Sequence, residues 1–336
     1  MSGVQTRSVK DKDEGLRLDR WFKTYFPGLP FGQLQKIVRK GQVRVDGKRA
    51  KTNQRLEVGQ EIRIPPLDDN ATVDPAKSGK PRGPKPLSDA DIKFVQSLVI
   101  FKNNDVIAIN KPAGLAVQGG TKTERHLDGM LEALQYEADE KPRLVHRLDR
   151  DTSGVLLLAR NRASATTIGR AFKHRTTRKI YWAIVVGIPD PEEGRCTHPL
   201  GKLGGKGGER VVVDEENGKN AVTEFMTMER AGRRLALVAL WPKTGRTHQL
   251  RAHMAAIGTP ILGDGKYGGR EAFVDSEDIA KQMHLHAREL QLPDEKNNKM
   301  GPAIKATLPD YFLKTLKGIG FEYEDWLNQD PFEDLE

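Results

Sequence analysis

His146-Arg147-Leu148-Asp149-Arg150-Asp151-Thr152-Ser153-Gly154 runs directly into Val155-Leu156-Leu157-Leu158-Ala159-Arg160. A polar, charged loop thus feeds an unbroken apolar run bounded by glycine, which reads as a buried strand. A loop mounted on such a strand is rigidly held yet open to solvent, a good place for catalysis. Asp149 and Asp151 are both candidate carboxylates. On these residues alone, Arg147 and Arg150 could equally neutralise the two acids as a surface ion-pair cluster.

Working outward, similar apolar runs occur at 106–110 (VIAIN), 179–187 (KIYWAIVVG) and 234–242 (RLALVALWP). Helices are expected at 126–138, 162–174 and 247–257. Strands dominate and the helices are scattered among them. The expectation is an α+β fold, a mixed, largely antiparallel sheet flanked by helices, spanning 91–326. Residues 68–90 carry Pro75, Pro81, Pro84 and Pro86 with almost no large apolar side chain, so they read as a flexible linker.

Ahead of the linker, 12–67 reads as a small α+β module. Leu18, Trp21, Phe22 and Tyr25 share a helical face, and Pro27, Gly28 and Pro30 end that helix. A second helix turns Leu34, Ile37 and Val38 inward and stops at Gly41, a left-handed cap. Asp46-Gly47 between QVRV and KRA signals a hairpin, and EIRIP supplies a further strand. From Leu16 to Ile64, 12 Lys and Arg stand against 4 Asp and Glu, a net +8 within a chain of net +9. Such a patch attracts polyphosphate and releases counterions on binding. Lys36, Arg39 and Lys40 on or beside the second helix, with Arg44 in the hairpin, are its candidate RNA contacts. The order resembles the αL RNA-binding module of a ribosomal small-subunit protein.

Composition narrows the alternatives. No run approaches the roughly 20 apolar residues of a membrane span, and the N-terminus lacks the apolar core of a signal peptide. One cysteine, Cys196, excludes an internal disulfide and argues for a reducing, cytoplasmic setting. His248, His253, His284 and His286 have no cysteine or glutamate spaced to complete a usual ligand set, so no metal is expected.

Two further stretches carry chemistry. Thr244-Gly245-Arg246-Thr247-His248-Gln249-Leu250-Arg251-Ala252-His253 follows a strand and opens a helix, with Thr247 as its expected N-cap. A helix start offers free N–H groups and a positive dipole end. In Lys179-Ile180-Tyr181-Trp182-Ala183, Tyr181 and Trp182 face opposite ways, so one can be core and the other site. Gly263-Asp264-Gly265-Lys266-Tyr267-Gly268 fits G-x-G-x-x-G, but Pro260 precedes it and no βαβ frame surrounds it. It reads as a glycine-rich loop. Gly201–Gly208 lacks a P-loop's terminal Gly-Lys-Ser/Thr and reads as a turn or RNA-facing loop.

Taken together, HRLDRDTSG, KIYWAI and TGRTHQLRAH, with Asn110-Lys111-Pro112-Ala113-Gly114-Leu115, resemble the RluA family of pseudouridine synthases. The run on to AVQGG, and the αL module in front, are most similar to its RluC branch. The resemblance covers about residues 92–325. It implies Asp149 as nucleophile, Tyr181 and Arg251 as the active-site tyrosine and arginine, and Arg147 as the side chain that fills the gap left by a flipped base. Asp151 falls on a variable motif position, which implies a structural role. His146, Lys111, Arg246 and His248, carried by the same motifs, are expected substrate contacts. The resemblance also implies no metal and no organic cofactor, structured RNA as partner, large-subunit ribosomal RNA as the target, and no obligate protein partner.

The residue types suit that chemistry. Uracil must leave its sugar, rotate and rejoin through its fifth ring carbon. A carboxylate can attack the anomeric carbon or the ring, or act as a base at the sugar. It must be ionised, which Arg251 beside it would favour. A paired uridine hides these atoms, so the base must be extruded, and Tyr181 can stack on it. Two rivals are weaker. A glycoside hydrolase needs acids on opposite sides of the bond, and one short loop does not supply them. A non-catalytic ribosome-assembly factor would need the basic module but not Asp149, Tyr181 and Arg251 together.

Overall fold

The computed structural model describes residues 3–72, 87–119, 125–204, 210–294, 297 and 299–335. The chain divides into two units, Met1–Pro86 and Leu87–Glu336.

In the first unit, β1 (Gln5–Ser8), α1 (Leu18–Tyr25), α2 (Phe31–Arg39), β2 (Arg44–Val45), β3 (Lys48–Arg49) and β4 (Glu61–Ile64) follow in order. The strands pair antiparallel in the order β1-β4-β2-β3. Leu18, Trp21 and Phe22 of α1 and Leu34 and Val38 of α2 pack on Ile62 and Ile64. Gly41, at φ +70°, ends α2 in the left-handed region, and Asp46 and Gly47, at φ +49° and +72°, make the two-residue β2–β3 turn. The unit begins earlier than residue 12, because β1 pairs with β4. Its sequence, QTRS, has no apolar period to announce a strand.

Of the expected linker, residues 73–86 lie outside the described residues. Its far end is already helical. Ser88 Oγ accepts from Asp91 N and caps α3 (Asp89–Ser97), so the linker ends before residue 90.

The second unit is built on ten strands of one sheet among the described residues. In chain order its elements are β5 (Val99–Lys102), β6 (Val106–Lys111), α4 (Leu127–Met130), β7 (Arg143–Leu144), β8 (Ser153–Ala159), α5 (Arg162–His174), β9 (Arg178–Val186), β10 (Glu193–Cys196), β11 (Leu200–Leu203), β12 (Arg210–Val213), β13 (Thr223–Ala231), β14 (Leu235–Pro242), α6 (Gln249–Ala256), β15 (Leu285–Gln291), β16 (Pro293–Asp294), β17 (Lys299–Met300), β18 (Ile304–Lys305) and α7 (Asp310–Gly318). The central path is β10-β13-β14-β9-β15-β8-β6-β5; β7 joins β8, and β18 joins β15. Every pair is antiparallel except β15 with β8. The expected mixed, largely antiparallel sheet is the one observed. β8 and β14 are buried along their whole length, which is why both read as continuous apolar runs.

Two expected helices differ. The 126–138 helix is only α4 and a 3-10 turn to Leu134, and Tyr136 takes a left-handed φ of +48°. The helix expected from residue 247 starts at Gln249. Its N-cap is His248, itself left-handed at φ +51°, and not Thr247. The Gly201–Gly208 run enters β11, and its residues from 205 on lie outside the described residues.

The parallel contact positions the site. Across β15, Ala287 pairs with Tyr181 on one side and Gly154 on the other. Tyr181 and the end of the Asp149 loop therefore lie in one row, about 10 Å apart at two strand spacings. Gly154 has φ +107°, and a Cβ there would lie 2.2 Å from the Ala287 carbonyl oxygen. Only glycine allows β8 to approach β15 this closely while the chain turns out of the loop.

Candidate active site

Asp149 lies on the loop before β8, between two cavities that it helps to line, of about 320 and 630 Å³. Its two carboxylate oxygens face different side chains. Arg251 Nη1 is 3.7 Å from Oδ2, and His248 Nε2 is 3.7 Å from Oδ1. Both partners come from the start of α6, so one turn of helix supplies both faces of the carboxylate.

Arg251 is held from behind. Its Nε and Nη2 each donate to Asp264 over 2.7 Å, a bidentate pair buried to 8% and 1% exposure. Only Nη1 is then left toward Asp149. Burial opposes the guanidinium charge, but the bond to Asp264 and the Asp264 and Asp149 charges raise its pKa overall. Asp264 lies in the glycine-rich 263–268 loop, and nothing in the spacing of that loop marks the acid as an orienting group.

His248 is aimed in the same way. Tyr267 Oη accepts from Val211 N at 3.1 Å and lies 2.8 Å from His248 Nδ1. The phenol proton is free to go to Nδ1, which leaves Nε2–H facing the acceptor-only carboxylate. Burial lowers the His248 pKa, Asp149 opposing. Gln249 fixes the loop beneath: Oε1 accepts from Thr244 Oγ1 and Arg246 N, and Nε2 donates to Val222 O and Thr223 Oγ1.

Tyr181 lines the smaller cavity on the opposite face of β9 from Trp182, which is core. Burial, and secondarily the Asp149 charge, push its phenol well up, so it remains protonated at neutral pH. Arg147 is exposed and borders both cavities. Arg246 borders the smaller one, with Nε donating to Asn220 O.

Two expected contacts are placed otherwise. Lys111 is wholly buried, and its Nζ donates to the carbonyls of Pro112, Leu115 and Arg150 at 2.9–3.0 Å. Three acceptors consume its three N–H groups, so it ties β6 to the Asp149 loop and has no donor left for RNA. Burial pulls its pKa to about 7 against Asp151 and Asp149. His146 stacks on Phe172 at 4.4 Å, and its Nε2 accepts from Leu157 N. It lines the cavity wall, and burial pulls its pKa to about 3. The sequence alone could not tell a buried basic side chain from an exposed one in these motifs.

In the first unit Lys36, Arg39, Lys40 and Arg44 are all exposed. Lys36 and Arg39 occupy the last turn of α2, where the helix dipole favours cations. Among the described residues no group of three His, Cys, Asp or Glu could hold a metal ion, and no helix is long and apolar enough to cross a membrane.

The RNA pseudouridylate synthase family model matches residues 105–256, and the S4 domain model matches 16–62. The chain is 37% identical to the ribosomal large subunit pseudouridine synthase C of Rickettsia conorii, over 89% of this chain and 96% of that one. The protein of that name in Salmonella typhimurium is 35% identical over 86% and 88%. RNA pseudouridine synthase 4, mitochondrial, of Arabidopsis thaliana is 36% identical over 87% and 74%. The solved human RNA pseudouridylate synthase domain containing 4 covers 69% of this chain and 97% of its own, at 28% identity and a TM-score of 0.57. Fold, motifs and relatives together define an isomerase that converts uridine to pseudouridine in RNA. The chain belongs to the RluA family of pseudouridine synthases and carries an S4 domain ahead of the catalytic one.

Proposed function

We propose that the chain modifies large-subunit ribosomal RNA in the cytoplasm, with Asp149 as its nucleophile and the smaller cavity as the pocket for a flipped uracil. The observation that carries the assignment is the paired approach of Arg251 and His248 to the two oxygens of Asp149. The bacterial relatives' names support the choice of RNA.

The site can perform the isomerisation in the following order. Arg147, at the rim of both cavities, takes the place of the extruded base in the RNA helix. Tyr181 packs against the uracil. The Asp149 carboxylate engages the sugar or the ring as the C1′–N1 bond breaks, with the electron pair leaving on uracil. The ring turns and C5 bonds to C1′, releasing the Asp149 carboxylate if it had bonded there; the C5 proton then leaves to solvent as N1 takes one up. Arg251 faces the carboxylate through the reaction, and Asp264 keeps Arg251 in place. The basic S4 surface of Lys36, Arg39, Lys40 and Arg44 holds RNA phosphates.

The test of the target is site-resolved pseudouridine mapping of ribosomal RNA from cells with and without the protein. Loss of one or a few large-subunit pseudouridines is the expected outcome. Loss confined to transfer RNA would overturn the choice of substrate.

A further inference from the structure

One cation in the smaller cavity is unused by this chemistry. Lys179 stands on β9 two residues before Tyr181, so both side chains leave the same face, about 7 Å apart along the strand. It lines the cavity with Tyr181, Asp149 and Arg251. Its surroundings are apolar and basic. The Phe172 ring centroid is 5.8 Å from Nζ, and Arg175 and His146 are the titratable groups that feel its charge or act on it. Burial, helped by Arg175, pulls its pKa down to about 8. Among the described residues no carboxylate, carbonyl or hydroxyl accepts a hydrogen bond from Nζ.

The contrast with Lys111 is informative, because that amine has three carbonyls. Lys179 is only half-buried, and its Nζ opens to the cavity instead of being sealed in the protein. Such a group in a cleft beside a nucleophile marks a place where a ligand supplies the acceptor. The ends of the cavity are also distinguishable. Tyr181 and Gly154, at the end of the Asp149 loop, both pair with Ala287, whereas Lys179 pairs with Leu290, further along β15 from that row. Lys179 therefore occupies the end away from the nucleophile. A uracil whose sugar carbon is at Asp149 projects O4, across the ring from N1, toward that end.

We infer that Lys179 is a catalytic residue that donates to O4 of the flipped uracil and stabilises the negative charge the ring acquires when its glycosidic bond breaks. This rests on the reading that this cavity takes the base. Heterolysis of C1′–N1 leaves the electron pair on uracil, delocalised over N1, O2 and O4. An ammonium already in place at O4 favours that anion over the neutral base. The ring charge is discharged when C5 bonds to C1′; the C5 proton then departs as N1 gains one, and Lys179 ends as it began. The same contact selects against cytosine, whose exocyclic amine would present a donor to a donor.

The test is single-turnover pseudouridine formation on a ribosomal RNA fragment carrying the mapped uridine, with wild type, Lys179→Met, Lys179→Arg and Asp149→Asn side by side. Lys179→Met is expected to lose about 10²–10³-fold in rate, as for removal of one oxyanion donor, with RNA affinity within about twofold. Lys179→Arg should recover part of the rate. Replacing O4 by sulfur at the target should slow wild type but not slow Lys179→Met further. The thermal midpoint of Lys179→Met should not fall, since an unpartnered charge is removed. A Lys179→Met rate within about threefold of wild type, weaker RNA binding at unchanged rate, or a midpoint more than about 5 °C lower would each overturn the role. An active Asp149→Asn would instead overturn the reading of the cavity on which the role rests.

Discussion

At the scale of single residues, the site is a chain of charges in which each group fixes the next. Asp264 holds Arg251, and Arg251 faces Asp149. Asp264→Asn should therefore act at a distance. It leaves Arg251 buried against a weaker partner, at a cost of about 3–5 kcal/mol for a broken buried pair. The guanidinium also loses its aim, and a misplacement of about 1 Å can cost about 10²-fold in rate. Single-turnover kinetics with RNA binding measured separately should show a lower rate at nearly unchanged affinity. A wild-type rate would show that the clamp is dispensable. That Asp149, Tyr181 and Arg251 meet around one cavity was legible in the sequence because whole motifs surround them. Asp264, Tyr267 and Lys179 were not, since their meaning lies in which side chain each meets across the fold. Lys111 misled for the related reason that a motif lysine does not reveal its burial.

At the scale of elements, the β8–β15 contact decides whether the site can exist. Gly154→Ala would bring Cβ against the Ala287 backbone at a left-handed φ. Strain and overpacking together should cost about 2–5 kcal/mol. Thermal unfolding should show a large drop, and an unchanged midpoint would mean that the two strands can part freely. β15 and the residue before it also carry the buried His284 and His286, whose pKa values burial lowers to about 4 and about 3. The unfolded values are near 6.5. Both rings are neutral in both states above that pH. Below it the unfolded chain takes up protons first, so stability falls as pH drops from 6.5 toward 4 and 3. Each ring contributes up to about 1.4 kcal/mol per pH unit. Between pH 6.5 and 5 few carboxylates titrate, so a falling midpoint there reports the buried histidines, His146 among them, and His284→Gln should make it shallower. A flat wild-type profile would show that these rings are not held neutral. β6, β8, β9 and β14 were legible because continuous apolar runs reflect burial on both faces, whereas β13 and β15 were not, because polar and charged residues interrupt them. The start of α6 was not, because a left-handed His248 replaces the expected Thr247 cap.

At the scale of the whole molecule, the charge is divided from the chemistry. The first unit carries the dense basic surface, and all the catalytic motifs lie in the second. A protein beginning at Leu87 should keep its rate on a minimal stem-loop but bind long ribosomal RNA more weakly. Its binding should also respond less steeply to salt, because fewer phosphates are neutralised. Two tethered binding surfaces raise effective concentration only where the RNA reaches both. Equal affinity and equal salt slope for the full and shortened proteins on long RNA would remove the S4 unit as an anchor. Its charge and its Asp46-Gly47 hairpin could be read from sequence, whereas β1 could not.

The most direct measurement compares purified wild type, Asp149→Asn and Asp151→Asn on one ribosomal RNA fragment, reading pseudouridine at single-nucleotide resolution and RNA affinity in parallel. Asp149→Asn should bind RNA nearly as wild type and form no pseudouridine, because shape and phosphate contacts survive while the carboxylate is gone. Asp151→Asn should keep substantial activity. An active Asp149→Asn beside an inactive Asp151→Asn would remove Asp149 as the nucleophile.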